Sequence, residues 1–301
     1  MKKFSTSSNN NKKPYVSVII PVFNGANFLE ESVVSIQKST YRKFEILLID
    51  DGSTDKSKAI CKKLQKQYQN VRFYDFPRNR GLGRVLNFAL KKAKGEYICR
   101  INQDDTMVRS RLTKQVTFLQ AHPDVVLVGS WLNVKDEHGN LRVNKFLEHD
   151  EDIRKTWLKL SPCWDASVMY HKSSALSVGG YDQLYWPADD LHMWYRLGKI
   201  GKIANIQEPL VTIKFHANAA SIKHHKQHIL ATYKVHRWAH EFVEEASLTT
   251  RIFWICETAA GLLFPPRFNW YVYRLVKRAV FGWANIFSQQ TSKASLVVRY
   301  T

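Results

Sequence analysis

The sequence predicts an α/β protein with helices flanking a sheet. Three observations carry this: the apolar runs 16–22, 44–49 and 97–101 each end in a polar loop, and the last two loops open on carboxylates. Segments of helical spacing lie between them, and such alternation implies βαβ units with a parallel sheet. In open α/β sheets ligands bind beyond the carboxyl ends of the strands, so these loops mark a nucleotide-type pocket.

The elements follow in order. Strand 16–22 leads to a helix near 28–39, strand 44–49, a helix near 56–68, strand 71–74, a helix over 82–94 and strand 97–101. Helix 112–121 stops at His122-Pro123, because the residue before proline avoids the α region, and 125–132 reads as another strand. Beyond Trp131 lie a hairpin turn at 136–140, mixed segments at 166–170 and 179–181, and a helix over 191–197. After Ile213 the pattern turns to long helices over 222–245 and then to a basic, aromatic tail. The expected organisation is a disordered lead-in 1–14, a nucleotide-binding half 15–130, a second half 131–221, to which the resemblance given below assigns the acceptor, and a helical tail 222–301.

With 301 residues and 45% hydrophobic content the chain can bury a real core. Its charge of +19 suits nucleic acid, an anionic membrane or a phosphate-rich substrate alike. Cys61, Cys99, Cys163 and Cys256 show no CxxC spacing, so neither a zinc site nor a disulfide framework is expected, which points to a reducing, cytoplasmic compartment. The first thirteen residues lack the apolar core of a signal peptide, and export is not expected. The apolar stretches 252–256 and 262–264, interrupted by Glu257 and stopped by Pro265-Pro266, fall short of the roughly 20 residues that span a bilayer.

Each motif has two readings. In Asp50-Asp51-Gly52-Ser53-Thr54-Asp55, helix capping accounts for residues 53–55, whereas two further carboxylates at a strand end call for a cation or a donor-rich ligand. Asn102-Gln103-Asp104-Asp105 reads as a solvated turn or as the anchor of a hard cation, which one or two carboxylates plus phosphate oxygens hold. The run 78–84, with Arg80, Gly81, Gly83 and Arg84, suits phosphate or a base edge at a helix start, and equally a basic tight turn. Asp189 and Asp190 read as a helix N-cap or as a functional carboxylate between large rings. The i, i+4 pair His224 and His228 lacks a nearby acid or thiolate to complete a zinc site. His216 follows a strand and is placed to reach a diphosphate.

Taken together, 16–24, 50–55, 81–87, 102–105, 111–115 and 188–197 resemble the bacterial family-2 glycosyltransferases of GT-A fold, over about residues 15–221. The resemblance implies a Rossmann-like nucleotide-binding mixed sheet flanked by helices, with the C-terminal helical extension added. It also implies inverting transfer of a sugar from a nucleotide donor, with UDP favoured, assisted by Mn²⁺ or Mg²⁺. Pro21, Phe23, Asn24, Asp51, Arg80, Arg84, Asn102 and Gln103 fall at donor-binding positions, Phe23 gripping the base by its ring and Asp51 by its edge. Asp104 matches the last aspartate of the family's DxD metal motif, Asn102 stands where the first is usual, and His216 is a second metal candidate. Asp190 matches the general base, with Asp189, Asp105, Trp194 and Arg196 as acceptor-side or supporting residues and His192 in place of a frequent acid.

The implied setting is cell-surface polysaccharide or lipopolysaccharide assembly, with a glycan or lipid-linked acceptor. The aromatic and basic residues of 264–278 and beyond suggest a peripheral position on the inner face of the cytoplasmic membrane. Two rival readings are an inactive nucleotide-sugar-binding scaffold, prompted by Asn102 and His192, and a nucleic-acid-binding protein, prompted by the charge. The second is disfavoured because acidic strand ends repel a phosphate backbone.

Overall fold

The structure, a computed structural model, describes residues 15–136, 139–214 and 223–264. Its strands are β1 (Val16–Val22), β2 (Phe44–Asp50), β3 (Val71–Asp75), β4 (Tyr97–Arg100), β5 (Thr106–Met107), β6 (Val125–Lys135), β7 (Leu141–Asn144), β8 (Met169–His171) and β9 (Lys202–Lys214). Its helices are α1 (Leu29–Gln37), α2 (Ser57–Gln67), α3 (Leu82–Lys92), α4 (Arg111–Ala121), α5 (Asp150–Thr156), α6 (Lys172–Ser177), α7 (Asp189–Gly198), α8 (His225–Phe242) and α9 (Leu248–Leu263).

One sheet runs in the order β3-β2-β1-β4-β8-β6-β9-β5, with β7 paired to β6. Pairing is parallel from β3 to β4, the part that the βαβ alternation predicts. It turns antiparallel where β8 joins β4 and β6, so the sheet is mixed. β8 passes directly into α6. The 130/131 boundary expected between two halves falls inside β6, which pairs with β9 on both sides of that point.

β1 and β2 are apolar almost throughout because both sheet faces are covered. Ile19, Leu47 and Ile49 face one core with α3, α7, α8 and α9, while Val18, Ile20, Ile46 and Leu48 face the other with α1, α2 and α4. Each fully buried aliphatic side chain contributes roughly 1.5–3 kcal/mol. Glu45 on β2 is buried yet satisfied, accepting from Ser17 Oγ at 2.7 Å, Arg72 Nη1 at 2.6 Å and Lys94 N at 2.6 Å. α7 buries most of its surface, which fixes the position of its first residues, Asp189 and Asp190.

Several elements were not legible beforehand: α5, α6, β5, and the full length of β9. The hairpin at 136–140 is present as β6 and β7, closed by Asn140 N donating to Asp136 Oδ1 at 2.8 Å. The lead-in 1–14 and the tail from Pro265 onward lie outside the described residues. No helix among the described residues is long and apolar enough to cross a membrane.

Candidate active site

Four loops at the carboxyl ends of β1, β2, β3 and β4 are tied together by hydrogen bonds. Asn24, in the left-handed region at φ 50°, accepts Thr54 N at Oδ1 (2.9 Å) and donates its own N–H to Ser53 Oγ (2.9 Å). Gly25 N donates to Ser57 Oγ at 2.8 Å and Ala26 N to Asp55 Oδ2 at 3.1 Å. The oxygens read as caps therefore mainly hold the facing loop. α2 has Lys56 at its N-cap, with no side-chain cap bond, although Asp55 Oδ1 also accepts Ser57 N.

Asp51 is buried, and its carboxylate accepts Arg80 N at Oδ1 (2.7 Å) and Gly81 N at Oδ2 (3.0 Å). It thus anchors the loop 78–81, and a carboxylate has about four lone-pair sites, so capacity for a base edge remains. Gly52 adopts φ +73°, and a Cβ there would lie 2.5 Å from the Arg78 carbonyl carbon, so the two loops touch backbone to backbone. Gln103 clamps Phe23, taking its N–H at 2.9 Å and donating to its carbonyl at 3.0 Å. Phe23 is 45% exposed where the chain leaves β1, and Pro21 lies on β1 just behind it. Arg80 lays its guanidinium 4.5 Å from the centre of the Phe76 ring, and Arg84 is exposed on the first turn of α3.

The 78–84 loop also reaches the start of α7. Gln183 Nε2 donates to Arg80 O at 2.9 Å, and a Cβ on Gly83 would sit 3.3 Å from Asp189 Oδ2. The loop and the first turn of α3 thus join Asp51 to Asp189. The N-cap of α7 is Ala188, without a side-chain bond, which corrects the capping reading of Asp189 and Asp190: both are first-turn helix residues. Asp189 is 2% exposed and its Oδ2 has no hydrogen-bond partner. Burial, then the Asp190 charge, pushes its pKa up to about 7.

Asn102 donates to Asp105 Oδ2 at 3.0 Å, and the Lys214 backbone also bonds Asp105, whose pKa burial and then the Asp104 charge push up to about 7. Asp104 beside it is half-buried. Arg100, buried on β4 and ion-paired with Asp165, acts electrostatically on both Asp105 and Asp189. Arg111, fully buried, ties β4 to β8 by donating to Arg100 O at 2.9 Å and Val168 O at 3.2 Å. Neither buried arginine is singled out in the sequence as a site residue, although Arg100 directly precedes the 102–105 motif and Arg111 opens the 111–115 segment, because what each one bonds depends on the fold.

Other expected residues support rather than line the site. Trp194 is fully buried against Tyr170 and Tyr181. Arg196 donates to Val178 O at 2.5 Å and Gly180 O at 2.6 Å, holding the turn before Tyr181. His192 is buried between Tyr185, at 3.8 Å between ring centres, and Trp238, at 4.3 Å. Burial, then Arg196, pushes its pKa down to about 3, so it is a neutral packing group rather than a substitute acid. His216 lies outside the described residues. Lys214, which precedes it, pairs with Glu31 and packs its ammonium 5.6 Å from the Phe28 ring centre.

Among the described residues no group of three His, Cys, Asp or Glu could hold a metal ion by itself. The half-buried Asp104 at a strand end nonetheless supplies a hard oxygen, which fits Mg²⁺ or Mn²⁺ shared with ligand phosphate and water. The residues therefore fit a jointly held cation.

Residues 17–179 match the sequence profile of Glycosyl transferase family 2. EpsE of Bacillus subtilis is 31% identical over 213 residues, 69% of this chain and 76% of its own. The amylovoran biosynthesis glycosyltransferase AmsE of Erwinia amylovora is 28% identical over 202 residues, 66% of this chain and 75% of its own. Relatives from Rickettsia conorii and Rickettsia felis, 25% and 26% identical over 76% and 77% of this chain, are longer, the match spanning 39% of each. Staphylococcus aureus TarS 1-349, solved with UDP-GlcNAc, superposes at TM-score 0.62 with 17% identity, covering 93% of this chain and 76% of that one. The mannosyltransferase PcManGT of Pyrobaculum calidifontis, solved with GDP-Man and Mn²⁺, superposes at TM-score 0.57 with 18% identity, covering 97% of this chain and 87% of that one. The mixed sheet flanked by helices is the GT-A arrangement of these neighbours.

Proposed function

The chain belongs to glycosyl transferase family 2, and we propose that it is an inverting, metal-assisted transferase moving a sugar from a nucleotide-diphosphate donor to a glycan or lipid-linked hydroxyl. The observation that carries this is the segment 78–84, a loop bonded to Asp51 that runs into the first turn of α3, where Gly83 packs on Asp189. It joins the donor-binding strand ends to the carboxylates that meet an acceptor.

In this reading the Phe23 ring stacks on the base, and Asp51 both fixes the loop and faces the base edge. Asp104 is the protein's share of a cation that, when bound, neutralises charge growing on the departing diphosphate. Asp190 accepts the acceptor's proton as its oxygen attacks the anomeric carbon from the face opposite the nucleotide, which inverts the configuration. Asp189 stays in place behind it, buried at the start of α7. UDP is the favoured carrier, as in the UDP-GlcNAc complex of TarS, and Mn²⁺ the favoured cation, as in PcManGT. Surface polysaccharide assembly is the favoured setting, as the name of AmsE suggests. The inner face of the cytoplasmic membrane, approached through residues 222–301, is the proposed location.

A thermal-shift panel of nucleotide sugars with and without Mn²⁺ tests the reading. One donor should raise Tm, more so with the cation. A flat panel for UDP, GDP and dTDP sugars alike would contradict it.

A further inference from the structure

α8 and α9 form an antiparallel hairpin: Gly261 packs on Ile229, Trp254 stacks on His236 with ring centres 5.1 Å apart, and Ala246 N donates to His240 Nδ1 at 2.9 Å. Phe253 and Trp254 of α9 are buried in the core. The opposite side of the helix is also apolar. Leu248 (69% exposed), Ile252 (51%), Ile255 (56%) and Leu263 (77%) recur at helical spacing and form one stripe, with Ala259 in the gap. A helix apolar on both sides offers a second interaction surface, since such a stripe left in water marks a docking face.

Charge identifies that partner. The 37 residues from Pro265 to Thr301 carry Arg267, Arg274, Lys277, Arg278, Lys293 and Arg299 and no Asp or Glu, in a chain of net charge +19. They leave α9 at the end where α8 begins, and there the His224 ring lies 4.8 Å from Trp186, three residues before Asp189. An apolar stripe followed in the sequence by a purely basic segment matches an anionic lipid surface, which takes apolar side chains at its boundary and cations at its headgroups.

We infer that the outer face of α9 docks on an anionic bilayer, Leu248, Ile252, Ile255 and Leu263 entering the headgroup boundary, with the start of α7 at the end from which the basic segment departs. This deepens the proposed function, on which its choice of a membrane setting rests. It makes α9 itself, and not the basic segment alone, the contact.

Flotation of the full chain with phosphatidylcholine vesicles, with and without phosphatidylglycerol, tests it. The wild type should float with the anionic vesicles and less so at high salt. Ile252→Glu/Ile255→Glu should lower partitioning roughly tenfold or more with unchanged Tm and elution volume. Leu263→Glu, at the most exposed position, repeats the test should the double change unsettle the helix. Undiminished flotation of both variants would overturn the inference, as would a wild type that ignores anionic vesicles. A dimer converted to monomer by these changes would assign the stripe to a second copy and overturn it too. Donor-induced thermal shifts in solution are read in parallel: lost flotation with intact shifts supports α9 docking, and absent wild-type shifts count against the transferase reading alone.

Discussion

Gly83 lies so close to Asp189 that a Cβ there would sit 3.3 Å from Oδ2, a distance at which the carboxylate must yield by a few tenths of an ångström. Gly83 is also inside α3, where alanine is favoured over glycine by about 0.5–1 kcal/mol. Gly83→Ala therefore separates stability from catalysis. Tm should hold or rise while turnover falls roughly threefold to tenfold, since moving Asp189 shifts the adjacent Asp190 and misplaced reacting groups lose rate steeply. Steady-state kinetics beside calorimetry decides; unchanged turnover would detach Asp189 from the reaction.

Asp189 also predicts a pH signature. Its carboxyl, raised from 3.8 to about 7 by burial and by Asp190, binds its proton more tightly in the folded chain than in the unfolded one. The stability it contributes is whole below the unfolded value, is lost as pH climbs through this window, and levels off above it. Against an Asp189→Asn reference, measured in chelator, the wild type should lose on the order of a few kcal/mol between those limits. A difference in Tm between the two proteins that does not change with pH would show that the carboxyl ionises normally.

Phe23 offers a ring that is nearly half exposed on a backbone fixed by Gln103. A base stacked on an aromatic ring gains about 1–3 kcal/mol. Phe23→Ala should therefore weaken nucleotide binding roughly fivefold to 150-fold by titration calorimetry, with little effect on Tm because the ring supports no core. Gln103→Ala should act in the same direction more weakly, by freeing the Phe23 backbone. Wild-type affinity in Phe23→Ala would remove the ring from the donor site.

The described residues offer no three-ligand cluster for a metal. Manganese should accordingly bind the chain weakly alone and at least tenfold more tightly with a nucleoside diphosphate, which supplies the missing oxygens. Asp104→Ala should abolish that coupling. Paramagnetic titration of Mn²⁺ with and without nucleotide reads both; tight binding by the protein alone would contradict a shared cation.

The parallel strands were legible because β1 and β2 are apolar on both faces, a pattern that periodicity reads directly. Asp50, Asp51, Asp104 and Asp105 were legible as strand-end carboxylates. What each one bonds was not: Asp51 takes backbone amides 29 and 30 residues away, and only the fold sets that contact. The surroundings of His192 were hidden for a similar reason, since the two rings that enclose it, Tyr185 and Trp238, come from other segments. Gly83 was legible within the 78–84 run, but its contact with α7 was not, and Gln183, the other half of that joint, carries no motif of its own. The two-residue strand β5 is too short for a local pattern, so its pairing partner decides the structure there.

The most direct test of the central claim is the turnover of Asp190→Asn, with donor affinity measured in parallel. With Asp190 as the base, kcat falls by about 10²-fold or more while nucleotide binding and Tm stay at wild-type values. Turnover within a few fold of wild type, with binding intact, would contradict the assignment and move the base elsewhere on the α7 end of the site.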